Sequence, residues 1–280
     1  MPHTSRRKKH PSLQHKRLEV TDSSGWTHVT TSGNARRLNN RRDHNPNQDS
    51  IFEPQQEEQQ QQKELEPPLS PAEAPPSVTL SHLQRQLNES RRRWEGSATW
   101  ASAQDALRRA LHLAGSGDEG EDVSIVCVGL GSPSGFLRGG WVDRRSVCMY
   151  QLAALASVMG LFEDQAPNRP TKVYAQDPVF NDHDCALLES LNITVLEHPG
   201  AFEKVSRRTL LFCPGAERRH LELLLAHDPA IVFGGPLEDI DSGVVTGFIR
   251  ARESVQLPLF EEQEHAFWRM RVYYSPSERG

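Results

Sequence analysis

The residues best placed to do chemistry begin with a glycine-bearing loop, Gly129-Leu130-Gly131-Ser132-Pro133-Ser134-Gly135, directly after the apolar run Val123-Ser124-Ile125-Val126-Cys127-Val128. Glycines after a buried strand expose backbone N–H groups, the chemistry of an anion or nucleotide cradle. The spacing is G-x-G-x-x-x-G, not the dinucleotide G-x-G-x-x-G, and Pro133 removes one donor. The next helix starts near Asp143, so its positive end stands well away from the loop. Asp177, before Pro178, closes a second apolar run and lies 46 positions beyond Gly131; a dinucleotide fold places its ribose-binding acid about 20 positions on. Asp177 could accept from a ribose hydroxyl or a substrate amine, and an Asp-Pro turn explains it equally well. Gly129, Gly131, Ser132, Asp177 and Phe180 are the candidate ligand-binding residues.

Other groups carry less. Asn181-Asp182-His183-Asp184 clusters metal-ligating types, but helix capping already accounts for the acids. Cys213 could be a nucleophile only with a His beside it, and sequence places neither His183 nor His198 there; a buried, inert thiol is the plainer expectation. His220 and His227 flank an amphipathic helix and read as surface or capping residues. The four cysteines, Cys127, Cys148, Cys185 and Cys213, show no C-x-x-C spacing, which points away from structural zinc and disulfides and toward a reducing compartment. No catalytic residue and no metal ligand set is assigned, and the cofactor stays unassigned.

The elements that must position these residues alternate strand with helix. Helical spacing holds over 78–87 and again over 100–113. Strands follow at 123–128, 172–175, 193–196, 209–213 and 230–233, with helices from Asp143 to about 160, from Asn181 or Asp182 through Leu191, and over 217–226. A helix is expected near 261–270 and a last strand at 272–274. This pattern specifies an α/β fold: a three-layer, Rossmann-like arrangement with a mostly parallel sheet of about five strands and helices on both faces. The candidate residues then fall at strand carboxyl ends, where open α/β sheets bind ligands.

Composition divides the chain of 280 residues, whose mean hydropathy is −0.62. Residues 1–50 hold ten Lys/Arg against four Asp/Glu, a charge of +6. Residues 51–76 hold one against six, for −5, and the remainder 21 against 27, for −6. Residues 1–76, with a Gln/Glu/Pro-rich linker and few aliphatics, are expected to be disordered, and 77–280 to fold, with a motif core at 123–235. An acidic body with a basic arm is not the profile of a DNA-binding domain, so direct nucleic-acid binding is not expected. No run of eighteen apolar residues and no apolar leader is present, so neither a membrane span nor a secretory signal is expected. Arg6-Arg7-Lys8-Lys9 with Lys16-Arg17 reads as an import signal or a solvated tail, which gives cytoplasm and nucleus as the location. Trp26 with Val29 and Arg36-Arg37 suggests a docking motif for protein partners.

Cys127-Val128-Gly129-Leu130-Gly131-Ser132, then Tyr150-Gln151-Leu152-Ala153, Asp177-Pro178-Val179-Phe180, Asp184, Leu187-Leu188, Leu191 and Val195-Leu196 resemble, in order and spacing, the "sensitivity to red light reduced"-like (SRR-like) domain family, and point to a fungal member. The resemblance spans roughly 123–235, and the Trp26 island resembles a W-x-x-V element of some members. It implies a regulatory protein, in signalling, clock, cytoskeletal or haem-linked regulation, with no established reaction. Where the family shows Pro-His-Cys after the fourth strand this chain has Pro214-Gly215-Ala216, and where it shows Gly-Asn after the fifth it has Gly234-Gly235. Two functions stay open: a non-enzymatic, ligand-sensing regulator that binds a small anionic metabolite, or a Rossmann-like enzyme using a nucleotide or S-adenosyl cofactor at the sheet edge.

Overall fold

The computed structural model describes residues 18–21, 27–30, 70–114, 123–136, 143–165 and 171–276. The chain divides into two units, Met1–Glu66 and Pro67–Gly280. In the first, β1 (Leu18–Thr21) pairs antiparallel with β2 (Thr27–Thr30). The basic islands, Trp26 and the Gln-rich run lie outside the described residues.

The second unit opens with α1 (Leu80–Glu95) and α2 (Ala98–Ala114). Thr79 caps α1 by accepting from the His82 N–H, and Leu83, Leu87 and Trp94 recur on its buried face. Then follow β3 (Ser124–Val128), α3 (Arg144–Gln165), β4 (Lys172–Gln176), α4 (Asp182–Glu189), β5 (Thr194–Val195), β6 (Thr209–Cys213), α5 (Arg218–Leu225), β7 (Ile231–Gly234), α6 (Gly243–Arg250), β8 (Glu253–Gln256) and β9 (Arg271–Tyr274). The sheet has seven strands in the order β5-β4-β3-β6-β7-β9-β8. The first five named in that order run parallel, and β9 lies antiparallel to both β7 and β8.

Strand alternation assigns the two faces. Ile125, Cys127, Leu210, Phe212, Ile231 and Phe233 pack with α1, α2, α3 and α4. Val126, Val128, Leu211, Cys213 and Val232 pack with α5 and α6. Helices on both faces explain why β6 and β7 are buried throughout and, apart from Thr209, carry no polar side chain. α3 is long and apolar enough, by length and composition, to cross a membrane, and 72% of its apolar window is buried inside this protein. Thirteen of its residues, Tyr150 and Gln151 among them, are buried between α1 and the sheet.

Three differences from the sequence expectations have physical causes. The sheet gains β8, which pairs antiparallel with β9, the last strand expected at 272–274. Residues 261–270 form consecutive turns rather than a helix: Gln263, Ala266 and Met270 each donate to the carbonyl three residues back, and Arg269 takes a positive φ of 54°. Phe260 and Phe267 anchor that segment by packing on Trp94, with ring centroids at 5.5 and 4.3 Å. Finally, 70–76, assigned by composition to the linker, packs on the body. Ala72 is buried, its N–H donates to Val179 O at 2.8 Å, and Phe136 N–H donates to Glu73 O at 2.9 Å.

Candidate functional site at the sheet carboxyl edge

The chain leaves β3 for β4 and β5 on one side, then returns for β6 and β7 on the other. The order reverses between β3 and β6, the switch point at which such sheets form a crevice. Gly129 ends β3 there with φ +78°, and a Cβ on it would lie 2.5 Å from Ala216 N. A Cβ on Gly215 would lie 2.7 Å from Gly129 O. Two glycines therefore let the β3 and β6 loops touch backbone to backbone, and this backbone has no room for a side chain at 215.

Gly131 is the second positive-φ position, at +73°. A Cβ there would meet Cys148 Sγ on α3 at 2.6 Å. The bare face of Gly131 is thus used by a neighbouring helix. Its N–H donates to Asp177 Oδ2 at 2.8 Å, and Val179 N–H donates to Oδ1 of the same carboxylate at 3.1 Å. Asp177 joins the carboxyl end of β4 to the loop after β3.

Asp184 does the same from α4. It is fully buried, accepts from Ser132 Oγ at 2.5 Å and Ser134 N–H at 2.9 Å, and closes a capping box by accepting from Asn181 N–H at 3.1 Å. Ser132 Oγ in turn accepts from Gly135 N–H at 2.8 Å. Asn181 caps α4 and reaches outward: Nδ2 donates to Ala72 O at 2.9 Å, while Oδ1 accepts from Ser134 Oγ. Asn181 and Asp184 thus serve capping and loop support, and Asp182 places a negative charge in the first turn of α4.

The structure brings Gly129, Gly131, Ser132 and Asp177 together, and puts Phe180 behind them in the core, 8% exposed. The loop differs in chemistry from the expected anion cradle. Its amides at 131, 134 and 135 are held by the protein's own oxygens, two of them carboxylate. Burial chiefly, with help from the Asp184 charge, raises the Asp177 carboxyl above its ordinary value; the Gly131 and Val179 amides oppose this. An incoming phosphate would have to displace these carboxylates.

Sequence reasoning missed the neighbours of Asp177. Gln176, the last residue of β4, is buried; its Oε1 accepts from Ala201 N–H at 3.0 Å and its Nε2 lies 3.1 Å from His198 Nδ1. Because an N–H can only donate, the Ala201 contact fixes which end of the amide is oxygen. Nε2 must then donate to His198 Nδ1, which leaves the imidazole proton on Nε2. His220, in the first turn of α5, stands with its ring centroid 6.0 Å from His198 and 5.5 Å from Phe202; His198 and Phe202 are 5.2 Å apart, edge to face. Burial and the Arg219 charge lower the His220 pKa, with Asp177 among the opposing influences. Only the topology brings residues 176, 198, 202 and 220 together; nothing in their spacing signals it.

Cys213 lies at the end of β6, fully enclosed, its thiol pushed up to about 12 by burial, which makes it a poor nucleophile. Gly235 turns with φ +94° after β7, and Tyr273 supports it by accepting from Leu237 N–H.

The blocks at 127–132, 150–153 and 177–180 therefore sit at a strand end, on the helix that packs beside it and at a second strand end. The SRR1 domain model matches residues 83–274. The chain belongs to the SRR1 domain family. The matched range takes in α1 from Leu83 onward and all seven strands of the main sheet, so the match extends beyond 123–235 on both sides. No curated protein matches the chain.

Proposed function

We propose that this SRR1-domain protein is a ligand-sensing regulator whose small molecule binds at the carboxyl edge of the sheet, around Asp177. The strap at 70–76 carries this reading. It connects in sequence to the N-terminal arm, and it is hydrogen-bonded to the very loops that form the site, through Ala72 to Val179 and Asn181 and through Glu73 to Phe136. A ligand that shifts the 177–181 turn must load or release the strap, which supports coupling between occupancy and the arm. Protein partners then dock on the arm, and the basic island at 6–9 and 16–17 directs the chain between cytoplasm and nucleus.

Hydrogen exchange on the full-length chain tests this, with adenosine, AMP and S-adenosylmethionine as probes. The expected result is protection at 70–76 together with 129–136 and 177–181 for any probe that binds. Binding that leaves 70–76 unchanged contradicts the sensing reading.

A second reading rests on strand order. β9 enters antiparallel between β7 and β8 of an otherwise parallel sheet whose order reverses between β3 and β6, the open α/β arrangement in which a nucleotide-like or S-adenosyl cofactor binds at the switch point. This is an analogy of fold alone. The donor set fits such a group better than a nucleotide, because S-adenosylmethionine carries no phosphate and a positive sulfonium. Transfer of labelled methyl from that probe to any acceptor would replace the regulatory reading.

A further inference from the structure

The site around Asp177 has a second wall whose chemistry narrows the ligand. Gln176 is locked from behind by the Ala201 amide, so His198 is held as an acceptor at Nδ1 and a donor at Nε2. His198 is exposed and His220 half-buried, so both are reachable from solvent. Phe202, itself 8% exposed, contacts both rings and supports them from below. Asp177 is half-buried and receives one backbone donor on each oxygen, and each oxygen keeps a further lone pair.

Resting on the ligand-sensing reading, we propose that His198, His220 and Asp177 form a subsite for a phosphate-free nucleoside. His198 Nε2–H donates to an acceptor atom on the edge of the base, His220 supplies a flat partner for its ring, and Asp177 accepts from sugar hydroxyls. The His220 ring, backed by Phe202, is a face on which a heteroaromatic ring can stack. Asp177 facing the sugar, with Asp184 behind the loop, opposes a phosphate there and welcomes hydroxyls or a cationic substituent. The charged groups near His220 include Arg219 and Glu217, which form an ion pair of their own at 2.8 Å. They bring no net charge that would attract an anion.

The test is a titration of the full chain with adenosine and with AMP, followed by NMR of the histidine rings. Adenosine should perturb the His198 and His220 signals, and AMP should bind at least tenfold more weakly. His198→Leu should weaken adenosine at least tenfold, and His198→Asn, which keeps a donor but loses the ring, should recover only part of that. The thermal midpoint of each variant, measured alongside, separates lost binding from lost folding. AMP binding as well as adenosine, or adenosine binding unaffected by His198→Leu, overturns the proposal. Adenosine that protects 70–76 but leaves both histidines unperturbed overturns the subsite and leaves the sensing reading standing. No perturbation by adenosine overturns the subsite too.

Discussion

Gly131→Ala distinguishes a glycine kept for a ligand from one kept for a helix. The new Cβ would stand 2.6 Å from Cys148 Sγ, inside any real carbon–sulfur contact, on a backbone with φ +73°. Holding an L-residue in that left-handed region costs about 1–2 kcal/mol. Forcing a methyl against a packed sulfur adds about 1–3 kcal/mol. The sum, about 2–5 kcal/mol, is a large share of the roughly 5–15 kcal/mol that holds a domain together. Cys148→Ala removes the clashing atom: the next nearest is Cys148 Cβ at 4.0 Å, an ordinary contact. Alone it should cost about 1 kcal/mol in lost burial. The double variant should therefore be more stable than additivity predicts, by the overpacking part of about 1–3 kcal/mol, while the backbone part remains. Urea unfolding of the full-length chain, followed by far-ultraviolet circular dichroism, measures all four corners of the cycle. Additive costs, or a Gly131→Ala variant as stable as the parent, would refute the packing role and return the glycine to a ligand.

Asp184→Ala should cost about 3–5 kcal/mol, because it leaves the Ser132 hydroxyl and the Ser134 and Asn181 amides without their buried acceptor; chemical denaturation that finds less than 1 kcal/mol (~1) would contradict the loop's anchoring. The Asp177 carboxyl should titrate above 3.8 in the folded protein, so its own contribution to stability falls as pH rises from about that value through the raised folded value; carbon-detected NMR showing a midpoint below 3.8 would contradict its burial. His220 should titrate below 6.5, so its contribution is complete above that value and is lost as pH falls through the lowered folded value. Asp177→Asn should push that midpoint lower still, and an unchanged midpoint would show that the two do not share a crevice. Under native conditions iodoacetamide should modify the half-buried Cys185 before the buried Cys127, Cys148 and Cys213, and early loss of Cys213 would contradict its enclosure.

What the sequence showed, and what it did not, follows from the range of the forces involved. The strands at 124–128, 209–213 and 231–234 announce themselves as mostly apolar runs because helices cover both faces, and 172–176 by its centre Val173-Tyr174-Ala175. Asp143 and Asn181 are legible as caps because capping is settled within three residues. β8, by contrast, sits at the sheet edge with Glu253 and Gln256 exposed, and lacks an apolar signature. The segment 261–270 is expected from sequence to be helical, but its buried Ala266, Phe267 and Met270, with Phe260 just before it, are fixed by Trp94 and neighbours distant in sequence. In the site, the glycine loop and Asp177 could be named from order alone. That Asp177 holds Gly131, and that Gln176 sets the His198 proton, depends on contacts across 46 and 22 positions that no local pattern encodes.

The central claim is that the protein's own side chains, two of them carboxylates, already accept from the 131, 134 and 135 amides of the loop after β3, so that the ligand proposed for the sheet edge is phosphate-free. Titrating the nitrogen-15-labelled full-length chain with inorganic phosphate, while following the Gly131, Ser134 and Gly135 amides, tests it most directly. The account predicts that these three resonances stay in place, since Asp177, Asp184 and Ser132 already accept from them. A saturable shift of Gly131 and Ser134 together would show an open anion cradle and contradict the account.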